Sequence, residues 1–242
     1  MKNLKITVLY DNYPSRQGLE TGWGFSCLVE GGKKTILFDT GGDGAVLLAN
    51  MRGLGIDPSI VDIVVLSHGH GDHSGGLEQF LAVNRGITVL LLRSFPETFK
   101  KMLSRWAVNF IMVSGFKKIC EQVYATGEIG GPIPEQTLLV RSAQGLVVIT
   151  GCAHPGIVKI IHEAKRLMQT DAVLLAMGGF HLLDRGRKEL EQLIADFKQA
   201  GVLSVGPCHC SGDLTRRLFA EYYGNHFIDV GVGKEIRAEM LL

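Results

Sequence analysis

The chain has 242 residues, 46% of them hydrophobic and 20% charged, a balance that suits a soluble globular enzyme and excludes a disordered chain. Lys and Arg total 25 against 24 Asp and Glu, and the resulting net charge of +1 argues against a dedicated nucleic-acid binder. No apolar run approaches the ~18 residues of a membrane span. The alternating Leu4, Ile6 and Val8 read as a strand rather than a leader, so a cytoplasmic protein with no membrane partner is expected.

Alternation and β-branched content predict strands over 4–10, 24–30 and 34–39, the last two joined by a hairpin at Gly31-Gly32. A short helix is expected over 44–54, a buried strand over 61–66, a helix from Ser74 to about Asn84 and a strand over 87–92. Residues 93–118 break the pattern. They carry Arg93, Lys100, Lys101, Arg105, Lys117 and Lys118 against the single acid Glu97, interleaved with Phe95, Phe99, Trp106, Phe110 and Phe116. Three readings fit: a lid for an anionic, planar substrate; an interface in a homo-oligomer; or a solvated helix whose aromatics reach the core. Strands near 121–126, 137–141 and 146–150 come next, then helix 156–169, strand 172–177, helix 186–200, strand 202–206, helix 213–223 and strand 226–232. With no linker and no repeat, residues 1–242 are expected to form one α/β domain, two sheets packed together with helices outside.

The chemistry concentrates at residues 67–76, SHGHGDHSGG. His68, His70, Asp72 and His73 crowd a predicted strand-to-helix turn, and the glycines between them permit close backbone approach. Imidazole and carboxylate are the ligands of a hydrolytic zinc site, which leaves a position open for water. Four such side chains within six residues exceed what one small ion takes from a single turn. They point to two adjacent ions, His68 and His70 on one and Asp72 and His73 on the other. Three later histidines each follow an apolar strand: His154 in GCAHPG, His181 in GGFHLL and His209 in PCHCSG. All three are expected at the same sheet edge, where α/β sites gather. The odd set of five cysteines (Cys27, Cys120, Cys152, Cys208 and Cys210) excludes a disulfide framework. As thiolates, Cys152, Cys208 and Cys210 could bind metal or sense redox state; they read rather as small, reduced structural thiols.

HGHGDH resembles the HxHxDH signature of the metallo-β-lactamase superfamily, and the resemblance extends over nearly the whole chain. It implies an αββα sandwich of two mixed sheets with helices on the outer faces and a two-metal site on one edge. By that resemblance His68, His70 and His154 hold the first ion, and Asp72, His73 and His209 the second. FDTGG at 38–42 resembles the first motif of the superfamily, in which Asp39 supports the site by hydrogen bonding. Asp11-Asn12, GCAHPG, GGFHL and HCSG together resemble one branch. That branch includes an archaeal synthase joining a dihydropterin pyrophosphate to a ribofuranosylaminobenzene phosphate. Asp11, Asn12 and Trp23 are accordingly expected at the substrate. The chain departs from the superfamily where most of its hydrolases carry a bridging Asp: here the residues are Gly178-Gly179-Phe180-His181. His181 is expected to stabilise charge or move a proton, with Asp72 as the other catalytic group.

The implied activity is that of a metal-dependent hydrolase, in which metal-activated water acts on a small anionic ester, thioester or phosphoester. A synthase-like transferase and, from another class, a non-catalytic metal or redox sensor built on Cys152, Cys208 and Cys210 are the alternatives. Zinc is the expected ion, and manganese, iron or magnesium also suit His-carboxylate ligands.

Overall fold

In the computed structural model, which describes residue 1 and residues 3–241, the alternating segments Lys5–Tyr10 (β1), Ser26–Glu30 (β2) and Ile36–Phe38 (β3) pair antiparallel. The hairpin at Gly31-Gly32 is where the sequence puts it. The sheet then continues in parallel through Ile63–Val65 (β4), Thr88–Leu92 (β5) and Asn109–Val113 (β6). The second sheet begins antiparallel with Lys117–Cys120 (β7), Val123–Ala125 (β8), Leu138–Arg141 (β9) and Leu146–Thr150 (β10). It ends in parallel with Val173–Gly179 (β11) and Val202–Cys208 (β12). Glu235–Arg237 (β13) returns to the first sheet beside β1.

Three packed layers of apolar side chains explain why the sheets stack. Val8, Phe25, Phe38 and Val65 of the first sheet meet Leu138, Val147, Ile149 and Met177 of the second. Helices Gly44–Gly53 (α1), the single turn Gly71–Ser74 (α2), Leu77–Val83 (α3) and Glu97–Arg105 (α4) belong to the first half. Leu47, Leu77, Phe80 and Leu103 from α1, α3 and α4 cover the outer face of the first sheet. Ile157–Met168 (α5), Arg187–Gln199 (α6) and Asp213–Tyr223 (α7) cover the second. On α5 the buried residues are Ile157, Ile160, Ile161, Ala164 and Met168, the spacing of one helical face. Each fully buried large apolar side chain contributes ~1.5–3 kcal/mol. The αββα sandwich is therefore present as expected.

Three expectations need correction in detail. The helix expected from Ser74 starts earlier, at Gly71, and is broken at Gly75-Gly76, where the chain presses against the backbone of Thr40 and Gly42. Asp72 and His73 thus sit inside a helical turn, not before one. The strand expected over 226–232 is not formed. This stretch crosses from one sheet to the other, leaving single bridges at Val205–Phe227 and Pro14–Val232 before β13 pairs. Residues 93–118 are not one element: they comprise α4 and the edge strands β6 and β7 of the two sheets. Phe95, Phe99, Trp106 and Phe110 pack on the core of the first half, while Phe116 stacks on Tyr124. Among the described residues no helix is long and apolar enough to cross a membrane.

Candidate metal centre

The parallel strands end at one edge, and each end delivers part of the site. Asp39 follows β3, residues 67–73 follow β4, residues 151–154 follow β10, His181 lies just beyond β11, and His209 follows β12. Asp39, Ala153, His181 and His209 all have positive φ, between 47° and 60°. Non-glycine residues visit this region at a cost, and such strain gathers at functional sites. Here it turns each chain sharply off its strand, so that the side chains converge.

Two clusters of ligand-type side chains result. His68, His70 and His154 form one, and Asp72, His73, Cys152 and His209 the other; a third grouping, Cys152, His154 and His181, overlaps both, and within each the ligating atoms lie within 4.8 Å of one another. The clusters adjoin, with ring centroids of His68 and His73 4.4 Å apart. Every metal ligand expected from the sequence is brought into one of the two clusters.

A buried network fixes the rings. Asp39 accepts from the Ser67 amide at 2.7 Å, from the Ser67 hydroxyl at 2.7 Å, and pairs with His73 Nδ1 at 2.8 Å. Because the Ser67 hydroxyl donates to Asp39, it accepts from His68 Nδ1, 2.8 Å away. His209 Nδ1 likewise faces Asn12 Oδ1 at 2.9 Å, while the Asn12 amide donates to the His209 carbonyl at 3.0 Å. With their Nδ1 atoms engaged outward, His68, His73 and His209 present Nε2 to the centre, the arrangement that outer partners impose on metal-binding histidines. These tautomers are assigned from the hydrogen-bond network.

The donor set fits divalent ions. His68 Nε2 and His154 Nε2 are buried with no hydrogen-bond partner. A buried polar atom left bare costs ~1–3 kcal/mol, and a cation would satisfy both. Burial and the neighbouring imidazoles push the His68 pKa well down; burial and His181 lower that of His154 to about 4. Both rings are therefore neutral at neutral pH, the state that binds metal. In the second cluster, burial works against charge on His73, but Asp39 and Asp72 outweigh it and raise its pKa. Burial also opposes the charge on Asp72, yet its contacts with His209 and His73 pull it down to about 2.

Other expected residues have distinct places. Trp23 is exposed, its ring centroid 4.8 Å from that of His209. His181 lines two clefts beside the clusters: one of ≈ 360 Å³ with His154, Lys159 and Arg185, the other of ≈ 300 Å³ with Trp23, Leu183 and Arg185. Asn12 props His209. Asp11 faces inward: it is fully buried, with Oδ1 accepting from the Tyr13 amide at 2.9 Å and Oδ2 unpartnered.

The sequence reading missed Glu135. Its buried carboxylate accepts from the amides of Gly151, Cys152 and Ala153 through Oε1 and of His154 through Oε2, at 2.9–3.0 Å. It thereby shapes the turn that carries His154. Burial pushes its pKa up against those four donors. Nothing in PIPEQTL announces this role. Ser67 lies within SHGHGDH, but nothing in the motif signals its place between Asp39 and His68. Cys152, read as a structural thiol, lies 3.1 Å from His73 Nε2. The strand ends at Cys208, so Cys208 stays in the core between the sheets while Cys210 turns toward Cys152.

Four layers with paired clusters of potential metal ligands on one sheet edge define a protein of the αββα class. Comparison with known proteins gives the family: a model of the metallo-beta-lactamase superfamily matches residues 24–213. The chain belongs to that superfamily. A crystal structure of a metal-dependent hydrolase of the β-lactamase superfamily is 31% identical, with a TM-score of 0.80 over 96% of this chain and 98% of that one. The 7,8-dihydropterin-6-methyl-4-(β-D-ribofuranosyl)-aminobenzene-5'-phosphate synthase of Methanocaldococcus jannaschii is 26% identical over 97% of each chain. The short form of human tRNase Z shares the fold, with a TM-score of 0.65 at 13% identity over 96% of this chain and 98% of that one.

Proposed function

We propose that this protein is a metal-dependent hydrolase of a small anionic ester, thioester or phosphoester. The observation that carries this reading is the meeting of two ligand clusters at one edge, beside clefts lined by His181 and Arg185. His68, His70 and His154 would hold one divalent ion, and Asp72, His73 and His209 the other. The imidazole-rich set suits zinc or iron better than magnesium. Bound there, such ions would supply Lewis-acid polarisation of the scissile group and acidify a water.

The chain's own residues do the rest. Lys159 and Arg185, the latter paired with Glu189 at 3.0 Å, bring positive charge to the cleft wall beside Glu189 and Asp196, and would meet the anion there. Trp23 offers a flat, exposed face on which a planar group can stack. Asp72, ionised at the base of the site, orients the attacking water. As that water adds to phosphorus or carbonyl carbon, the bond to the leaving oxygen or sulfur breaks. His181, at the mouth of both clefts, delivers the proton that the leaving group takes.

The test is turnover of an aryl phosphodiester, an aryl phosphomonoester, an acyl thioester and an aryl carboxylic ester by protein purified without chelator. Chelation should abolish turnover of at least one class and zinc should restore it. A zinc-loaded protein inert toward all four overturns the reading. A second reading is favoured by the full-length relation to the archaeal synthase: a transferase in which an arene, rather than water, displaces pyrophosphate from a pterin. A coupled product formed from those two reactants would replace the hydrolase reading with that one.

A further inference from the structure

We propose that Cys152 supplies a sulfur ligand to the second metal position, completing the set of Asp72, His73 and His209. The inference rests on the metal-dependent reading above and names a ligand outside the HxHxDH pattern.

The geometry is specific. Cys152 Sγ lies 3.1 Å from His73 Nε2, and His73 Nε2 lies 3.3 Å from His209 Nε2 and 3.7 Å from an Asp72 oxygen. Cys152 is the one further residue whose ligating atom lies within 4.8 Å of those of Asp72, His73 and His209, among the described residues. Three protein groups leave a tetrahedral ion one position short, and sulfur is a favoured zinc ligand. The thiol is only 3% exposed, so the contact is not incidental surface proximity.

The backbone reserves this place for sulfur. Glu135 grips the amides of Gly151, Cys152 and Ala153, and so holds the Cys152 main chain rigidly at the end of β10. The facing end of β11 is bare by necessity. A Cβ at Gly179 would stand 2.3 Å from the Gly151 carbonyl oxygen, 2.7 Å from Cys210 Sγ and 3.2 Å from Cys152 Cα. No side chain from β11 can reach the second position past these atoms. Cys210 then stands behind Cys152, its thiol donating to Cys152 Sγ at 3.4 Å.

The experiment is titration of chelator-treated protein with cobalt(II) alone, followed by absorption in the near ultraviolet, where sulfur-to-cobalt charge transfer appears. The wild type should show this band as the second cluster fills. Cys152→Ser should lose it and bind the last cobalt at least about tenfold more weakly, while its visible d–d bands report cobalt still held by the first cluster. Cys210→Ser should keep the band, which excludes Cys210 as the donor even if Cys152→Ser fails to fold. Cobalt bound at both clusters without the band, or a band that survives in Cys152→Ser, overturns the assignment and leaves the metal-dependent reading standing. A wild type that binds no cobalt overturns both.

Discussion

The cluster of His68, His70 and His154 presents imidazoles alone, whereas that of Asp72, His73 and His209 adds a carboxylate and lies against a thiol. In the first, two buried Nε2 atoms have no partner. In the second, His73 Nε2 already meets both Cys152 and His209. The first cluster therefore holds bonding capacity that only an ion or water can satisfy, while the second satisfies part of its own. Their supports differ as well. Behind His154 stands Glu135, its charge divided among four amides. Behind His73 and His209 stand Asp39, Asn12 and, deeper, Asp11, which accepts from a single amide. The first half-site is stiffly held, with two Nε2 atoms that no protein group satisfies, whereas the second is self-bonded, so an ion entering it must displace contacts.

The largest expected effect breaks the first cluster. His68→Ala removes the most deeply buried of its three rings and one of the two unpartnered nitrogens. Losing an outer partner of a ligand typically costs 10–100-fold in metal affinity, so loss of the ligand itself should exceed about 100-fold. Calorimetric titration with zinc measures it, and the fold should survive, because deleting the ring removes the unpartnered Nε2 together with a single hydrogen bond, Nδ1 to Ser67, worth ~1 kcal/mol. Affinity within tenfold of wild type would show that the cluster does not bind as a unit. Next comes Glu135→Ala. It leaves four buried amides without an acceptor, each worth ~1–3 kcal/mol when unsatisfied. Urea unfolding should register a loss of about 3 kcal/mol or more, and zinc should bind more weakly at His154 than at His209.

How much of this was legible in the sequence follows from the same contrast. The αββα layering could be read because its strands and helices carry regular apolar periodicity, as in Ile157, Ile160, Ile161 and Ala164. The six residues expected to bind metal could be singled out because they sit in short motifs at strand ends, where the fold brings them together. Glu135 could not: it reaches residues 151–154 across a fold-dependent gap that no local pattern encodes. Cys152 was visible as a residue but not as a neighbour of His73, because 79 positions separate the two. The strand expected at 226–232 failed for a related reason. Its composition suits a strand, but its ends lie on different sheets, and pairing rather than propensity decides. Asp11 illustrates the converse: a motif position expected at the substrate is fully buried and accepts from the Tyr13 amide.

Asp39→Asn sharpens the comparison by disturbing the second cluster more than the first. The carboxylate requires His73 to carry its proton on Nδ1, which leaves Nε2 bare toward the centre. An amide at this place can turn its NH2 toward Nδ1 and favour the opposite tautomer. Affinity for the second zinc should fall by roughly 10–100-fold. His68, held only indirectly through Ser67, should lose less. Equal losses at both positions would mean that the two clusters share one support.

The smallest expected effect lies furthest from the metals. Burial raises the Asp11 pKa from 3.8 to about 6. Between those values the folded chain holds a proton that the unfolded chain has released, so this group's contribution to stability falls as pH rises through that window. Below pH ~4 both states are protonated and the penalty vanishes. Above pH ~6 it is present in full, on the order of 3 kcal/mol at 1.36 kcal/mol per pKa unit. Asp11→Asn keeps an oxygen for the Tyr13 amide and removes the charge. The variant should therefore gain stability at pH 8 and show almost none of that gain at pH 4, measured by urea unfolding of chelator-treated protein at both pH values. A variant less stable than wild type at pH 8 would show that the Asp11 charge is stabilised by its surroundings. The second half-site would then be as well supported as the first, and the contrast between Glu135 and Asp11 would fail.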